Sequence, residues 1–280
     1  HLKNNLENSK FIFSDLGYFL NRMNKKKIII GWKLWTKKCL DWKKTFKNKQ
    51  DIINHSRKTN LYELAEVFSN ILHQDCIFLC DSGFVDVILP TNIKFKKKQI
   101  CIHPVSQGSM GFALPAIIGA YSAGRRNIVS VIGDGSIMMN LQELQTINYY
   151  KIPAKIFIIN NGMYGIIRRR QKELFRGRTI GTDNTNGVGC PDFKKISKAF
   201  GIKYKLIKTK KNLKNEINSV LKEKKTIICE INADENQEYI EVGYAKNKEG
   251  KIVRRPLEDQ KPFLNRNIFL REMIIKPIDQ

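Results

Sequence analysis

The stretch that decides the fold is Asn127-Ile-Val-Ser-Val-Ile-Gly-Asp-Gly-Ser136, an apolar run that ends in a glycine-rich turn. Its continuous apolar character predicts a strand at 127–132 that is covered on both faces of a sheet. A second apolar run, 154–159, ends in Asn160-Asn161-Gly162 and predicts another buried strand. Two neighbouring parallel strands must be joined by a crossover connection, usually a helix. The residues between the two turns are enough for one such helix, predicted at 141–150, and for the second strand.

The same alternation continues outward from this pair of strands. Upstream, the pattern predicts an amphipathic helix at 61–72, a strand at 76–80 and a small-residue helix at 112–122. Downstream, it predicts helices at 192–200 and 211–222 and strands at 204–207 and 226–231. Buried strands that alternate with helices predict an α/β fold, a doubly wound parallel sheet with helices on both faces.

The chain divides into three segments in this interpretation. Residues 1–57 are expected to be the remnant of a preceding domain and a linker helix, with a short strand at 11–13, a capped helix at 16–23 and Trp32, Trp35 and Trp42 as a helical packing stripe. Residues 58–240 form the α/β domain, and the polar tail 241–280 is expected to wrap over its surface. Because the first residue is His1, we expect a processed product or part of a longer polypeptide.

Composition narrows the class of protein. The net charge is +24, but the lysines are spread along the chain without interleaved aromatics, so we expect a solvated surface and no nucleic-acid partner. No run of 18 apolar residues and no secretory signal are visible, so no membrane span is expected. The six cysteines make no C-x-x-C pair, which argues against zinc and favours a reduced, cytoplasmic protein.

Asp134 and Asn161 each follow the end of a predicted strand. In an open α/β sheet the carboxyl ends of the strands share one edge, where ligands bind. A carboxylate and an amide oxygen suit a hard cation such as Mg²⁺, which usually shares its shell with phosphates. The flanking glycines would let the backbone approach such a phosphate. Either motif alone is more typical of an ordinary tight turn, but their separation favours a joint site for Mg²⁺ and a diphosphate.

These motifs resemble the thiamine diphosphate enzymes. Gly133-Asp134-Gly135, followed after 24 residues by Asn160-Asn161, matches the fingerprint of that family. The segments 108–115, 118–120 and 141–146 resemble its acetolactate synthase and oxo-acid decarboxylase branch. The likeness covers about 75–235, so the chain resembles the C-terminal, diphosphate-binding portion of an acetolactate synthase-like large subunit.

The resemblance implies a role for individual residues. Asp134, the Asn161 side chain and the Met163 carbonyl would bind Mg²⁺. Met110 would support the bent conformation of the cofactor. The residues implied to bind or line the cofactor are Ser82, Gly83, Gly108, Met110, Gly133, Gly135, Ser136, Tyr164, Gly165 and Ile166. Glu143, which could pass for a catalytic acid, is expected to be structural.

Three departures from the family limit what the resemblance implies. The glutamate that activates the aminopyrimidine nitrogen lies in the family on a separate N-terminal domain, usually of a partner subunit, so this chain is expected to lack it. Phe84 and Val85 stand where acetolactate synthases carry Gln and His. Arg170 occupies the position of an acceptor-pocket Trp; it is either a contact for an anionic substrate, such as a sugar nucleotide, or part of a solvated helix face.

The implied function is the cofactor-binding part of a transferase or lyase. Such an enzyme decarboxylates a 2-oxo acid such as pyruvate and transfers the two-carbon unit to an acceptor carbonyl. The alternative is a truncated remnant that binds thiamine diphosphate without turnover. A second chain or domain would supply the pyrimidine-binding half in a homo-oligomer, and the resemblance leaves flavin binding open.

Overall fold

The computed structural model describes residues 12–25, 32–45, 56–239, 243–246, 249–261 and 263–274. The chain falls into two units, His1–Asn48 and Lys49–Gln280. The described residues of the first unit form two helices, α1 (Leu16–Asn24) and α2 (Lys33–Thr45). The predicted domain boundary after residue 57 stays a prediction.

The first unit agrees with the sequence in its helices and not in its strand. Asp15 caps α1 by accepting a hydrogen bond from the Tyr18 nitrogen. Trp35 and Trp42 meet edge to face in α2 with ring centroids 5.6 Å apart, whereas Trp32 precedes that helix. The strand predicted at 11–13 is wrong for Ile12 and Phe13, which pair with no other segment that the structure describes; Phe11 lies outside the described residues.

The second unit is built on a six-stranded parallel sheet with the strand order β2-β1-β3-β4-β6-β5. Sequence analysis located five of these strands to within two residues at each end. The short edge strand β2 was not predicted, because it is only half-buried and follows a lysine run. The strands are β1 (Ile77–Cys80), β2 (Ile100–Ile102), β3 (Ile128–Gly133), β4 (Ala154–Asn160), β5 (Lys203–Ile207) and β6 (Ile227–Asn232).

Helices cover both faces of this sheet, which confirms the predicted fold class. Val129 and Phe157 point into one apolar cluster with α3 (Leu61–Ile71), α4 (Phe84–Asn92) and α9 (Leu213–Leu221). Ile128 and Ile156 point into the opposite cluster with α5 (Ala113–Ser122), α6 (Glu143–Tyr149) and α8 (Phe193–Ala199). Because both faces are buried, the central strands are apolar at nearly every position.

Strand register brings the two diagnostic turns together. Strands β3 and β4 pair from Ile128 opposite Ala154 to Gly133 opposite Ile159, so both end at the same level. The Asp134 nitrogen then donates to the Ile159 carbonyl at 3.1 Å, which extends the ladder by one bond. Asp134 and Asn161 therefore leave the sheet side by side at its carboxyl edge.

Of two helices beside this edge, one was not predicted and the other was named only as the solvated helix face to which Arg170 could belong. Helix α4 begins directly after Gly83, and its apolar residues are interrupted by Pro90. Helix α7 (Gly165–Leu174) buries no residue among those described, so its sequence lacks the apolar stripe that marks a packed helix.

The tail contains more structure than its polar composition indicates. It forms an antiparallel pair, β7 (Tyr244–Lys246) and β8 (Ile252–Arg254), and the helix α10 (Arg266–Glu272). Buried Asp259 accepts from Arg255 and, at 2.7 Å, from Arg266. None of the helices in the described segments combines the length and apolar character needed to cross a membrane.

Candidate functional site

A cavity of about 270 Å³ opens at the carboxyl edge of the sheet. The loops after β1, β3 and β4 form its wall, together with the segment before α5 and the start of α7. Every residue that the sequence assigned to cofactor or metal binding contributes to this wall. They are Ser82, Gly83, Gly108, Met110, Gly133, Asp134, Gly135, Ser136, Asn161, Met163, Tyr164, Gly165 and Ile166.

Asp134 lies at the base of the cavity and is 2% exposed. Its Oδ1 accepts from the Gly135 nitrogen at 2.8 Å, and its Oδ2 accepts from the Gly162 nitrogen at 2.7 Å. The Cys190 thiol lies 3.4 Å from the same Oδ2. Burial raises the pKa of the Asp134 carboxyl, and the Gly162 and Gly135 amides oppose that rise. A bound cation would lower this pKa, because it favours the charged carboxylate.

Asn161 and Met163, in the loop after β4, line the same cavity. The Asn161 Oδ1 accepts from the Met163 nitrogen at 3.2 Å, which folds the loop back on itself. An isolated antiparallel bridge pairs Met163 with Asp183, and the Tyr164 nitrogen donates to the Thr182 carbonyl at 2.8 Å. The segment 182–183 thereby holds the loop in place from outside.

Two glycines in the cavity wall are required by close packing. A Cβ at Gly135 would lie 2.1 Å from the Tyr164 ring, and one at Gly165 would lie 2.2 Å from the Phe84 ring. Both distances are far below van der Waals contact. Gly135 therefore lets Tyr164 cover the Asp134 turn, and Gly165 lets helix α7 begin directly against α4.

Buried Asp81 organises the segment that carries Met110. Its Oδ1 accepts from the Gly111 nitrogen at 3.0 Å and its Oδ2 from the Ala113 nitrogen at 2.7 Å. Burial raises the pKa of this carboxyl, and the two backbone bonds partly oppose the rise. The Ser136 hydroxyl also hydrogen-bonds Asp81, so its proton is directed away from an anion in the cavity. The Ser136 backbone N–H, at the start of the short 3₁₀ helix Ser136–Met139, is the group of that residue best suited to an anion.

Arg170 does not join the other predicted residues. It lies in the second half of α7, forms an ion pair with Glu173 at 3.4 Å and is not part of the cavity wall. Its neighbours are engaged as well, Arg168 with Asp183 at 2.6 Å and Arg169 with Glu238 at 2.8 Å. Arg170 therefore does not connect this group of three arginines with the cavity.

Several residues at the cavity were not predicted from the sequence to bind a ligand. Phe84, Val85, Ile159 and Ile167 also line the wall. Asp81 directly follows the apolar strand β1, just as Asp134 directly follows β3, and this shared position could have identified Asp81 as a site residue. Cys190 carried no signal, because it approaches Asp134 from a loop 56 residues away in sequence.

The residues present fit the metal and diphosphate that the motifs imply. A buried carboxylate, an amide oxygen and a backbone carbonyl are the hard oxygen donors that Mg²⁺ prefers. The small residues Gly83 and Gly108 leave room in the wall, while Met110, Tyr164 and Ile166 supply larger apolar surface. Such a cavity can hold a ligand that has a phosphate end and an apolar ring.

Comparison with known proteins places this site in a family. The family described as "Thiamine pyrophosphate enzyme, C-terminal TPP binding domain" matches residues 81–231, which is more than half of the chain. Over 172 residues the chain is 36% identical to the acetolactate synthase large subunit of Porphyra purpurea, covering 61% of this chain and 29% of that protein. Over 162 residues it is 32% identical to the acetolactate synthase isozyme 2 large subunit of Escherichia coli (strain K12), covering 58% of this chain and 29% of that one.

A solved structure shares the fold. The thiamine diphosphate-dependent 4-hydroxybenzoylformate decarboxylase of Rhodococcus jostii RHA1 superposes with a TM-score of 0.59 at 24% identity. The match covers 68% of this chain and 36% of that one. In sequence, the chain spans 29% of the length of each of the two acetolactate synthase subunits above.

Proposed function

Because the chain belongs to the thiamine pyrophosphate enzymes and contains their C-terminal TPP binding domain, we propose that it binds thiamine diphosphate together with Mg²⁺ in an acetolactate synthase-like enzyme. That enzyme would decarboxylate a 2-oxo acid such as pyruvate and transfer the two-carbon unit to an acceptor carbonyl. The relatives support this choice of reaction, since those described above are acetolactate synthase large subunits.

One observation carries the proposal. Asp134 and the Asn161–Met163 loop leave neighbouring strands at the same level and line one cavity. In this proposal the Asp134 carboxylate, the Asn161 side-chain oxygen and the Met163 carbonyl hold the metal. The metal and the backbone N–H groups of the Asp134 turn would then neutralise the diphosphate.

When bound, thiamine diphosphate would supply a nucleophilic thiazolium carbon and an electron sink for the decarboxylation of a 2-oxo acid. The residues of this chain would orient and shield that group. Met110 and Ile166 would offer apolar surface to the rings of the cofactor, and Tyr164 closes the wall over Gly135. Asp81 fixes the Met110 segment through the Gly111 and Ala113 nitrogens.

We further propose that a pyrimidine-binding domain, on another segment or a second copy, supplies the activating glutamate and completes the site. The acceptor is proposed only as a carbonyl compound, because Arg170 is paired with Glu173 outside the cavity wall. A reducing compartment such as the cytoplasm would suit the six cysteines, all of which are free. Flavin binding stays open.

Calorimetric titration of the chain with thiamine diphosphate, with and without Mg²⁺, tests the binding proposal. We expect saturable binding that requires Mg²⁺ and that thiamine, which lacks the diphosphate, does not reproduce. Binding of equal affinity in the presence of a chelator would contradict the metal-bridged site. Binding without turnover, even after addition of a complete pyrimidine-binding domain, would favour the non-catalytic remnant.

A further inference from the structure

We propose that Glu230 and Tyr204 are positioning residues for the loop that carries Asn161 and Met163, and that they act through Asn160. The identity of the ligand rests on the proposed function. The network itself consists of contacts among side chains of the three neighbouring strands β4, β6 and β5.

Glu230 is the one carboxylate in the strand β6, at a position where its neighbours Cys229 and Ile231 are fully buried. Its Oε1 accepts from the Asn160 Nδ2 at 2.7 Å. Its Oε2 accepts from the Tyr204 hydroxyl at 2.5 Å. Both distances fall in the range of charge-assisted hydrogen bonds, which are stronger than neutral ones.

The carboxylate decides which way the Asn160 amide faces. An ionised carboxylate can only accept hydrogen bonds, so the amide must direct its NH₂ group toward Glu230. The Asn160 Oδ1 is thereby directed to the opposite side, where it accepts from the Gly162 nitrogen at 3.1 Å. With an apolar residue at 230, the amide could rotate by half a turn and present a donor to that nitrogen.

The Gly162 nitrogen connects this network to the metal-binding residues. The same N–H also donates to the Asp134 Oδ2 at 2.7 Å, so one amide serves Asn160 and Asp134 together. Asn161 lies between Asn160 and Gly162, and the positions of these two neighbours set the backbone from which its side chain projects. The network therefore runs from Tyr204 through Glu230 and Asn160 to Gly162 and Asp134.

Tyr204 fixes Glu230 from the other side. Because its hydroxyl donates to the Oε2, the carboxylate is held by two strands and leaves the Oε1 for Asn160. Burial raises the pKa of the Tyr204 hydroxyl, and the bond to Glu230 raises it further, so the proton stays on the tyrosine as donor. In metal sites generally, residues that hydrogen-bond to the ligands restrict those ligands to the geometry that binds the metal.

The test compares Glu230→Ala, Glu230→Gln and Tyr204→Phe with Glu223→Ala as the matched control. Glu223 also forms a polar contact, a salt bridge with Lys203 at 2.5 Å, at the amino end of β5 and away from the carboxyl edge that carries Asn160. Thiamine diphosphate affinity is measured at saturating Mg²⁺ by calorimetry. Hydrogen exchange of the peptide that contains Gly162 is measured without cofactor, and thermal unfolding shows that each variant folds.

We expect Glu230→Ala to weaken cofactor binding by about 10- to 100-fold, as removal of such partners commonly does. Glu230→Gln keeps an acceptor for Asn160 and should stay within about threefold of wild type, and Tyr204→Phe should fall between the two. Exchange at Gly162 should become faster in Glu230→Ala and stay unchanged in Glu223→Ala. A purely structural role would instead lower the melting temperature and leave affinity and exchange unchanged, which would overturn the proposal.

The outcome also separates this inference from the proposed function. If the wild-type chain binds no thiamine diphosphate, the proposed function fails, while the exchange result still tests the network. If wild type binds and folded Glu230→Ala binds equally well, the positioning role fails and the proposed function stands.

Discussion

The Gly162 nitrogen lies 2.7 Å from the Asp134 Oδ2 and joins the two turns that end β3 and β4. This bond matters because each turn alone is an ordinary connection between a strand and a helix. Together they place a buried carboxylate beside a loop rich in oxygen donors. The remaining contacts of the cavity, from Asp81 below Met110 to Tyr164 over Gly135, stabilise this arrangement.

Substitution of Gly135 by Ala should displace Tyr164. The added Cβ would lie 2.1 Å from the ring, so the ring must leave its place in the cavity wall. We expect the free energy of unfolding to fall by about 1–3 kcal/mol, the usual cost of overpacking, with weaker cofactor binding. Chemical denaturation measures the first effect, and calorimetry measures the second.

Gly189→Ala is the matched control, because a Cβ there would meet no atom within 4 Å. Adding Tyr164→Ala to Gly135→Ala should recover part of the lost stability by removing the clash. If Gly135→Ala and Gly189→Ala unfold at the same denaturant concentration, the close approach of Tyr164 to Gly135 is not present in solution.

Asp81→Asn should loosen the Met110 segment. Asp81 accepts from the Gly111 and Ala113 nitrogens through different oxygens, and an asparagine would place an NH₂ group against one of these N–H donors. Because an unsatisfied buried donor is costly, we expect a loss of about 1–3 kcal/mol of stability. Limited proteolysis should also cut sooner within 105–112.

The exposed residue Asp41, on α2, provides the comparison for that experiment. Asp41→Asn should leave both stability and proteolysis unchanged. Equal cleavage rates in Asp81→Asn and wild type would show that the Met110 segment is held by other contacts.

Lys155→Met should stabilise the fold in a pH-dependent way. Lys155 is 9% exposed in the strand β4, and its Nζ donates to the Pro153 carbonyl at 3.1 Å. Burial lowers the pKa of this ammonium from its ordinary value of 10.5. The folded protein is therefore most stable above the unfolded pKa, where Lys155 is neutral in both states. This stability is lost as the pH falls through the folded pKa, because the buried amine then becomes charged.

The methionine variant should therefore gain about 1 kcal/mol at neutral pH, since the cost of burying the charge is removed. The gain should shrink as the pH rises through the lowered pKa toward 10.5. Urea denaturation at several pH values measures it against Lys225→Met, which removes an exposed lysine. A gain that stays constant with pH would indicate a packing effect rather than relief of a buried charge.

Sequence was sufficient for the central part of the fold because that part obeys short-range rules. The strands β3 and β4 are apolar on both faces and end in glycine or asparagine, so the sequence identified them as strands and located their ends. The fold class followed from the alternation of such strands with helices. Asp134 and Asn161 were found from motif spacing, which reports on the edge that these strand ends share. The other predicted residues of the cavity wall were implied by the resemblance to the thiamine diphosphate enzymes.

The parts that sequence missed depend on contacts between distant segments. Helix α7 exposes polar residues, and two of its three arginines, Arg168 and Arg169, pair with acids of other segments, Asp183 and Glu238. Helix α4 begins at Phe84, which packs beneath Gly165 of α7. Glu230 was missed because its role arises from a bond to Asn160, 70 residues away. The position of Asp81 after β1 could have been noticed, but its bond to Gly111, 30 residues away, could not be read from the sequence.

The most direct test of the account is the affinity of Asp134→Ala for thiamine diphosphate at saturating Mg²⁺, measured by calorimetry beside Asp41→Ala. Asp134 is buried at the base of the cavity, whereas Asp41 is exposed on α2. The account predicts that the Asp134 variant, checked for folding by circular dichroism, loses Mg²⁺-dependent binding by at least about 100-fold, while Asp41→Ala binds as wild type does. Undiminished Mg²⁺-dependent binding by a folded Asp134→Ala chain would contradict it.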